Sequence, residues 1–141
     1  MSTRFAVAVH ILAVLRYSRS SPVSSELIAM SVNTNPVVVR RILSQLKRAG
    51  LVEAQLGSGG GFTLAHEPED IDLEQVFRAV EEEWAFPTHR EPPSCECPIG
   101  RNVVPVLEKI TSRASRAMLD ELSAVSIEDV GKKIGTRDRR R

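Results

Sequence analysis

The pair Asn35-Pro36 constrains this chain more than any other feature. Proline has no N–H to satisfy and a backbone angle preset for the first helical position. The asparagine before it can accept a hydrogen bond from the open first turn, so a helix starts here. Over about 36–49, Val39, Ile42, Leu43 and Leu46 recur at i, i+3, i+4 and i+7, a core stripe, and Gly50 stops the helix. At 100° per residue the opposite face collects Val37, Arg40, Arg41, Ser44, Gln45 and Arg48, with Lys47 beside them. Upstream, Ser24 can cap a short helix running through Leu27, Ile28 and Ala29 to Met30 or Ser31, and the polar run from Ser31 through Thr34 to Asn35 makes a turn. Two helices joined by a tight turn, the second with one apolar and one basic face, make a helix-turn-helix able to lay that basic face in a groove.

The flanking segments complete a winged helix. Leu51 to Leu56 alternates, with Val52, Ala54 and Leu56 on one face and Glu53 and Gln55 on the other, and Phe62-Thr63-Leu64 repeats the pattern. Between them Gly57-Ser58-Gly59-Gly60-Gly61 is a turn with room for positive φ and close approach to another surface. Residues 3–17 form a helix apolar on two sides, through Phe5, Val9 and Leu12 and through Val7, Ile11, Val14 and Leu15, so it needs burial all round. Asp72, reciprocated by Gln75, opens a helix bearing Leu73, Val76, Phe77 and Val80 that ends in Glu81-Glu82-Glu83.

Trp84 to Arg101 holds Pro87, Pro92, Pro93 and Pro98 and both cysteines, and is expected to be an irregular loop. From Asn102 to about Ala124 the longest helix follows, with Pro105 in its first turn. Val103, Leu107, Ile110, Ala114, Ala117 and Met118 recur there near a 3.5-residue spacing, the pattern of a dimer seam. A short helix opens near Ser126, with Asp129 three residues on. The expected organisation is a winged helix-turn-helix over 1–83, a Cys/Pro-rich sensor loop over 84–101, dimerisation helices over 102–134 and a disordered basic tail over 135–141. The fold class is mainly α with a small β-hairpin and a long C-terminal dimerisation helix.

Composition narrows the function. The 141 residues, 42% of them hydrophobic, suffice for one domain with an appended element. Residues 1–66 carry seven basic against two acidic side chains, a net +5, and residues 67–141 carry 12 against 16, a net −4. A basic N-terminal half suits a polyanion, because neutralising phosphates releases condensed counterions. No stretch approaches the roughly 20 apolar residues of a membrane span, and the start lacks the order of a secretion signal, which points to a cytoplasmic protein with no membrane partner. Around Cys95 there is no thioredoxin-like strand-helix pattern, and no other nucleophile-base set or phosphate-binding P-loop is found, so an enzyme is not expected.

Val23-Ser24-Ser25-Glu26-Leu27-Ile28-Ala29, Thr34-Asn35-Pro36-Val37-Val38-Val39-Arg40-Arg41-Ile42-Leu43, Leu46-Lys47-Arg48-Ala49-Gly50-Leu51-Val52 and Gly59-Gly60-Gly61-Phe62-Thr63-Leu64-Ala65 together resemble the Rrf-type family of bacterial winged helix-turn-helix transcription regulators. The run from Ile71 to Glu81 and the long later helix fit the family's order as well, so the resemblance covers nearly the whole chain. It implies a homodimer on a two-fold operator of double-stranded DNA, each second helix in a major groove, and a repressor is expected. Carried over by position, the DNA-binding candidates are Ser24, Thr34, Asn35, Pro36, Val37, Arg40, Arg41 and Ser44, with Gly57, Ser58, Gly59 and Gly60 in the wing. Gln45, Lys47 and Arg48 join them from the strip. Arg41 suits a guanine edge and Val37 a thymine methyl, while Arg40, Lys47 and Arg48 suit phosphates. Many family members carry an arginine just before the wing glycines and an aromatic hydroxyl where this chain has Leu56 and Phe62, so base reading is expected of the helix rather than the wing.

Family members that hold an iron-sulfur cluster use three loop cysteines, whereas this loop offers Cys95 and Cys97 alone. Two ligands per chain fall short of the four a cluster takes, so a cluster would need non-standard ligands, no cofactor is predicted, and a redox-sensing thiol is the preferred reading. Unreactive thiols, with control by another signal or partner, are the remaining reading. His10 and His66 stand at no metal-ligand spacing. The competing function is a winged-helix protein-interaction module whose basic strip meets an acidic partner.

Overall fold

The computed structural model describes residues 2–81 and 86–141, so Glu82, Glu83 and Trp84 of the expected helix end and loop start lie outside the described residues. The elements in chain order are α1 (Arg4–Tyr17), α2 (Ser25–Val32), α3 (Pro36–Arg48), β1 (Val52–Gln55), β2 (Gly61–Leu64), a 3-10 turn at Pro68–Asp70, α4 (Leu73–Val80), α5 (Pro98–Ser123) and α6 (Ile127–Asp138). The chain divides into two compact units, one of residues 1–81 with 122–141 and one of residues 82–121.

The first unit is built around α1. Its Ala8, Ile11, Leu12 and Leu15 are buried, and Phe5, Val7, Val9 and Val14 are partly covered, as a helix without a polar face requires. α2, α3, α4, α6 and β2 all pack against it. The stripe expected of α3, Val39, Ile42, Leu43 and Leu46, is fully inside this core.

β1 and β2 pair antiparallel, with Val52 opposite Leu64 and Ala54 opposite Phe62. The hairpin is tied to the segment before α2, for Val23 N–H donates to the Phe62 carbonyl at 3.0 Å and Phe62 N–H to the Val23 carbonyl at 2.9 Å. Gly61 makes this possible, since a β-carbon there would stand 2.6 Å from the Val23 carbonyl.

α4 and α6 start side by side. Each begins with a reciprocal cap, Asp72 with Gln75 and Ser126 with Asp129. Between these caps Leu73 N–H donates to the Val125 carbonyl at 2.9 Å and Ile127 N–H to the Ile71 carbonyl at 2.8 Å. Ile71 and Ile127 are fully buried at this join.

The elements depart from the expected ones in four places. α6 belongs to the winged-helix unit, where it packs on α1, instead of continuing a separate dimerisation segment. It also runs on to Asp138, where a disordered tail from 135 was expected. α5 starts at Pro98 rather than Asn102, which puts Pro105 in the helix interior and leaves the Arg101 carbonyl without its i+4 donor. Leu56 lies past the end of β1 and is 97% exposed, so it does not share the inward face of the buried Val52.

One ion pair joins the ends of the first unit. Arg16 on α1 donates from Nε and Nη2 to the two carboxylate oxygens of Glu128 on α6, each at 2.9 Å. These bonds hold the Glu128 carboxyl below the usual carboxylate range. A carboxyl lowered in this way adds stability above its unfolded value, near 4.3, and loses it as the pH falls through the lowered folded value. Glu128→Gln is expected to melt below the wild type at pH 7, and the gap between the two melting temperatures should narrow as the pH is lowered from about 4.3 through the depressed folded value.

Candidate nucleic-acid interface

Two capped helix starts frame the candidate surface. The Ser24 hydroxyl accepts from Leu27 N–H at 3.2 Å at the head of α2, and the Asn35 side-chain oxygen accepts from Val37 N–H at 2.9 Å at the head of α3. Such caps are each worth about 1 kcal/mol. The residue between the helices that turns the chain is Asn33, in the left-handed region at φ 59°, a conformation asparagine tolerates better than most.

With its stripe buried, α3 turns Val37, Arg40, Arg41, Ser44, Lys47 and Arg48 to the outside, all exposed. Val37 is 52% exposed at the first turn, where an apolar side chain has no core to enter. Lys47 and Arg48 occupy the last turn, where the helix dipole favours cations. Thr34 and Pro36 are partly covered at the entry to α3, and Ser24 likewise at the entry to α2.

Two members of the predicted strip have surroundings that the periodicity of α3 does not show. Gln45 is half-buried, and its side-chain oxygen is enclosed without a hydrogen-bond partner, because it sits where the strip turns toward the core. Arg40 lies 3.6 Å from the Glu26 carboxylate on α2, an exposed pair of the kind that contributes little to stability. Helical periodicity within α3 could not show that neighbour, since Glu26 comes from another helix.

In the wing, Gly57 and Gly59 adopt φ of 91° and 75°, and Gly60 N–H closes the turn on the Gly57 carbonyl at 3.1 Å. Ser58 is exposed between them. A β-carbon on Gly60 would collide with the Gln55 carbonyl, so the loop is as thin as a polypeptide allows.

Within the second unit, Cys95 and Cys97 are both exposed and free. Cys97 immediately precedes α5. The backbone N–H groups of Gly100 and then Ile99, in that helix's first turn, hold its thiol below the ordinary value. The signal for this was present in Pro98, a proline at a first helical position with Cys97 in the capping place before it. Among the described residues no group of three or more His, Cys, Asp and Glu stands close enough to hold a metal ion. The two exposed thiols therefore do not by themselves fit an iron-sulfur cluster, which takes four ligands.

Residues 1–133 match the family model Rrf2, described as an iron-dependent transcriptional regulator. The chain belongs to the Rrf2 family of transcription regulators. Among its relatives is YwnA of Bacillus subtilis, named as an HTH-type transcriptional regulator, 43% identical over 131 residues that span 92% of this chain and 96% of YwnA. A crystal structure reported as a DNA-binding protein superposes with a TM-score of 0.73 at 40% identity, over 90% of this chain and 97% of that one. CymR of B. subtilis, the global cysteine regulator, shares the fold, with a TM-score of 0.70 at 22% identity over 94% of this chain and 96% of CymR. This Rrf2 protein is thus a DNA-binding transcription regulator with a winged helix-turn-helix. None of its described helices is long and apolar enough to cross a membrane.

Proposed function

We propose that two copies of this Rrf2 regulator bind a two-fold-related operator and repress from it, with α3 of each copy in a major groove. The observation that carries this reading is the division of α3 into a fully buried stripe and an exposed face of three arginines and a lysine. Arg41 has the fork that matches guanine O6 and N7, and Val37 the methyls that suit thymine. Arg40, Lys47 and Arg48 neutralise phosphates, which fixes register without reading sequence. Arg40 exchanges its loose contact with Glu26 for a phosphate on binding. Ser24, Thr34, Asn35 and Pro36 line the two helix starts, whose free N–H groups also suit phosphate, and Ser44 lies farther along the exposed face of α3. Gln45 contributes least, being half-enclosed.

The pairing of copies is supported by α5. Val106, Leu107 and Ile110 are 55%, 38% and 58% exposed, and Ala114 and Ala117 continue their side of the helix. An apolar stripe of 3–4 spacing left open on a long helix is the face a second such helix covers.

A second reading concerns control. Cys97 is exposed, and the backbone N–H groups of Gly100 and Ile99 hold its thiol below the ordinary value, the setting in which a thiol is reactive as thiolate. It stands at the head of the helix that carries the stripe, so its oxidation is placed to alter DNA binding through the dimer.

Substitution and chemical modification test these proposals. On a duplex selected from a random library, Arg41→Gln should cost about 1–3 kcal/mol at one position of the site. Arg48→Gln should weaken all duplexes and flatten the salt dependence by about 0.9 for each phosphate lost, and binding insensitive to salt would overturn the reading. Ile110→Glu should give a monomer by sedimentation with an unchanged circular dichroism spectrum. Mild peroxide should change the DNA affinity of the wild type and leave Cys97→Ser unaffected, and iodoacetamide should alkylate Cys97 with a midpoint below the usual 8.5 or so.

A further inference from the structure

Within the first unit, the end of α1, the hairpin, the segment after it and the start of α6 surround a cavity of about 640 Å³, a size within the range of small-molecule sites. Among the described residues, none from α2 or α3 lines it, so it is separate from the surface that faces DNA. Most ligand sites are chiefly apolar, whereas the aliphatic part of this lining is Leu64 and Pro68. Arg16 is fixed in the wall. Two of its five N–H donors are held by Glu128, and a β-carbon on the buried Gly131 would collide with its guanidinium. That pair cancels its own charge and leaves Arg16 three donors in a set position. Arg19 is the more telling residue. It follows the cap residue Ser18, with its N–H on the Arg16 carbonyl at 3.1 Å and its φ at 55°. A helix that ends in this way usually places glycine there, because a β-carbon in the left-handed region is strained. An arginine kept against that strain is explained by its side chain, which is exposed and in no ion pair among the described residues. Glu67, on the same cavity, is an exposed carboxylate also outside those pairs. Gln55 on β1 and the buried Thr63 on β2 add neutral hydrogen-bonding groups. The ionic groups left over are one cation and one anion.

We propose that this cavity binds a small zwitterion of the α-amino-acid class and is the regulator's effector site. The ligand carboxylate takes the guanidinium of Arg19 together with the remaining donors of Arg16, and the ligand ammonium takes Glu67. A plain anion leaves Glu67 facing it, and a plain cation leaves Arg19 facing it, so only a ligand with both signs satisfies the pair. The polar lining suits such a ligand, since an apolar one would strip water from these groups and return no hydrogen bonds. The site also reaches the DNA-binding elements. Val23 and Phe62 tie the hairpin to the segment between α1 and α2, so a ligand held at once by the end of α1 and by the hairpin bears on the elements that set the helix-turn-helix in place. Occupancy and DNA binding then shift one another by the same factor.

The test is calorimetry of the full chain, without DNA, against each of the twenty protein amino acids at millimolar concentration. The tightest of them is then compared with its α-hydroxy acid, which lacks the ammonium, and with its amide, which lacks the carboxylate. Each analogue should bind the wild type about tenfold or more weakly than the amino acid does. Glu67→Gln should weaken the amino acid by a similar factor and bind the hydroxy acid as the wild type does. Arg19→Gly should weaken the amino acid likewise and bind the amide as the wild type does. That variant should also melt about 2–4 °C higher, because glycine relieves the backbone at this position, and a loss of binding with a gain of stability is what a structural role would not give. On a duplex selected from a random library, the amino acid should change the DNA affinity about fivefold or more. Absence of binding by all twenty overturns the proposal, as do a hydroxy acid that binds as tightly as the amino acid, binding unaltered in both variants, or a bound amino acid that leaves DNA affinity unchanged. Because the calorimetry uses no DNA, a chain that binds the amino acid and selects no duplex would fail the operator reading and not the site.

Discussion

The apolar character of α1 around most of its circumference is the constraint from which the remaining structure follows. A helix carrying Phe5, Val7, Ile11, Leu12, Val14 and Leu15 has no face fit for water, so other elements must surround it. α3 is one of them, and to cover α1 it must commit Val39, Ile42, Leu43 and Leu46 inward. A helix has only one opposite side, and on that side stand Arg40, Arg41, Ser44 and Arg48. The direction in which the regulator presents its cations is therefore decided by hydrophobic packing beneath them, and electrostatics acts only on what packing has already exposed.

The same logic explains what the amino-acid order revealed and what it withheld. The helix-turn-helix was legible because its signals are local, namely a serine cap at Ser24, an Asn-Pro start at Asn35 and a four-residue stripe, all of which recur as read. The hairpin was legible from alternation bounded by glycines. Periodicity failed at Leu56, because alternation continues in the sequence for one residue beyond the point where pairing stops. It failed again at Pro98, where four prolines in fifteen residues resemble a loop although the last of them occupies the one helical position proline suits.

Long-range placement was beyond such reading. Nothing near Glu128 announces Arg16, which is 112 residues away, and the return of α6 onto α1 depends on that contact and on Ile127 entering the core. Likewise Glu26 and Arg40 meet because two helices pack, and only their charges were evident beforehand. Properties of single faces are written in the order of residues, whereas the choice of which face meets which is settled by the sum of many weak contacts.

The join between Ile71 and Ile127 has a consequence for how such a regulator diversifies. The chain leaves the winged-helix unit after residue 81 and re-enters it at residue 122. In architectural terms the Cys97 loop and nearly all of α5 are an insertion into a closed domain whose two edges are stitched together by backbone hydrogen bonds at the caps of α4 and α6. An insertion held between fixed anchor points is free to change in length and chemistry without rebuilding the part that holds DNA. The price is that the DNA-holding part is discontinuous, so a fragment cut after α4 would lack the strand-like seam and the helix that close its core.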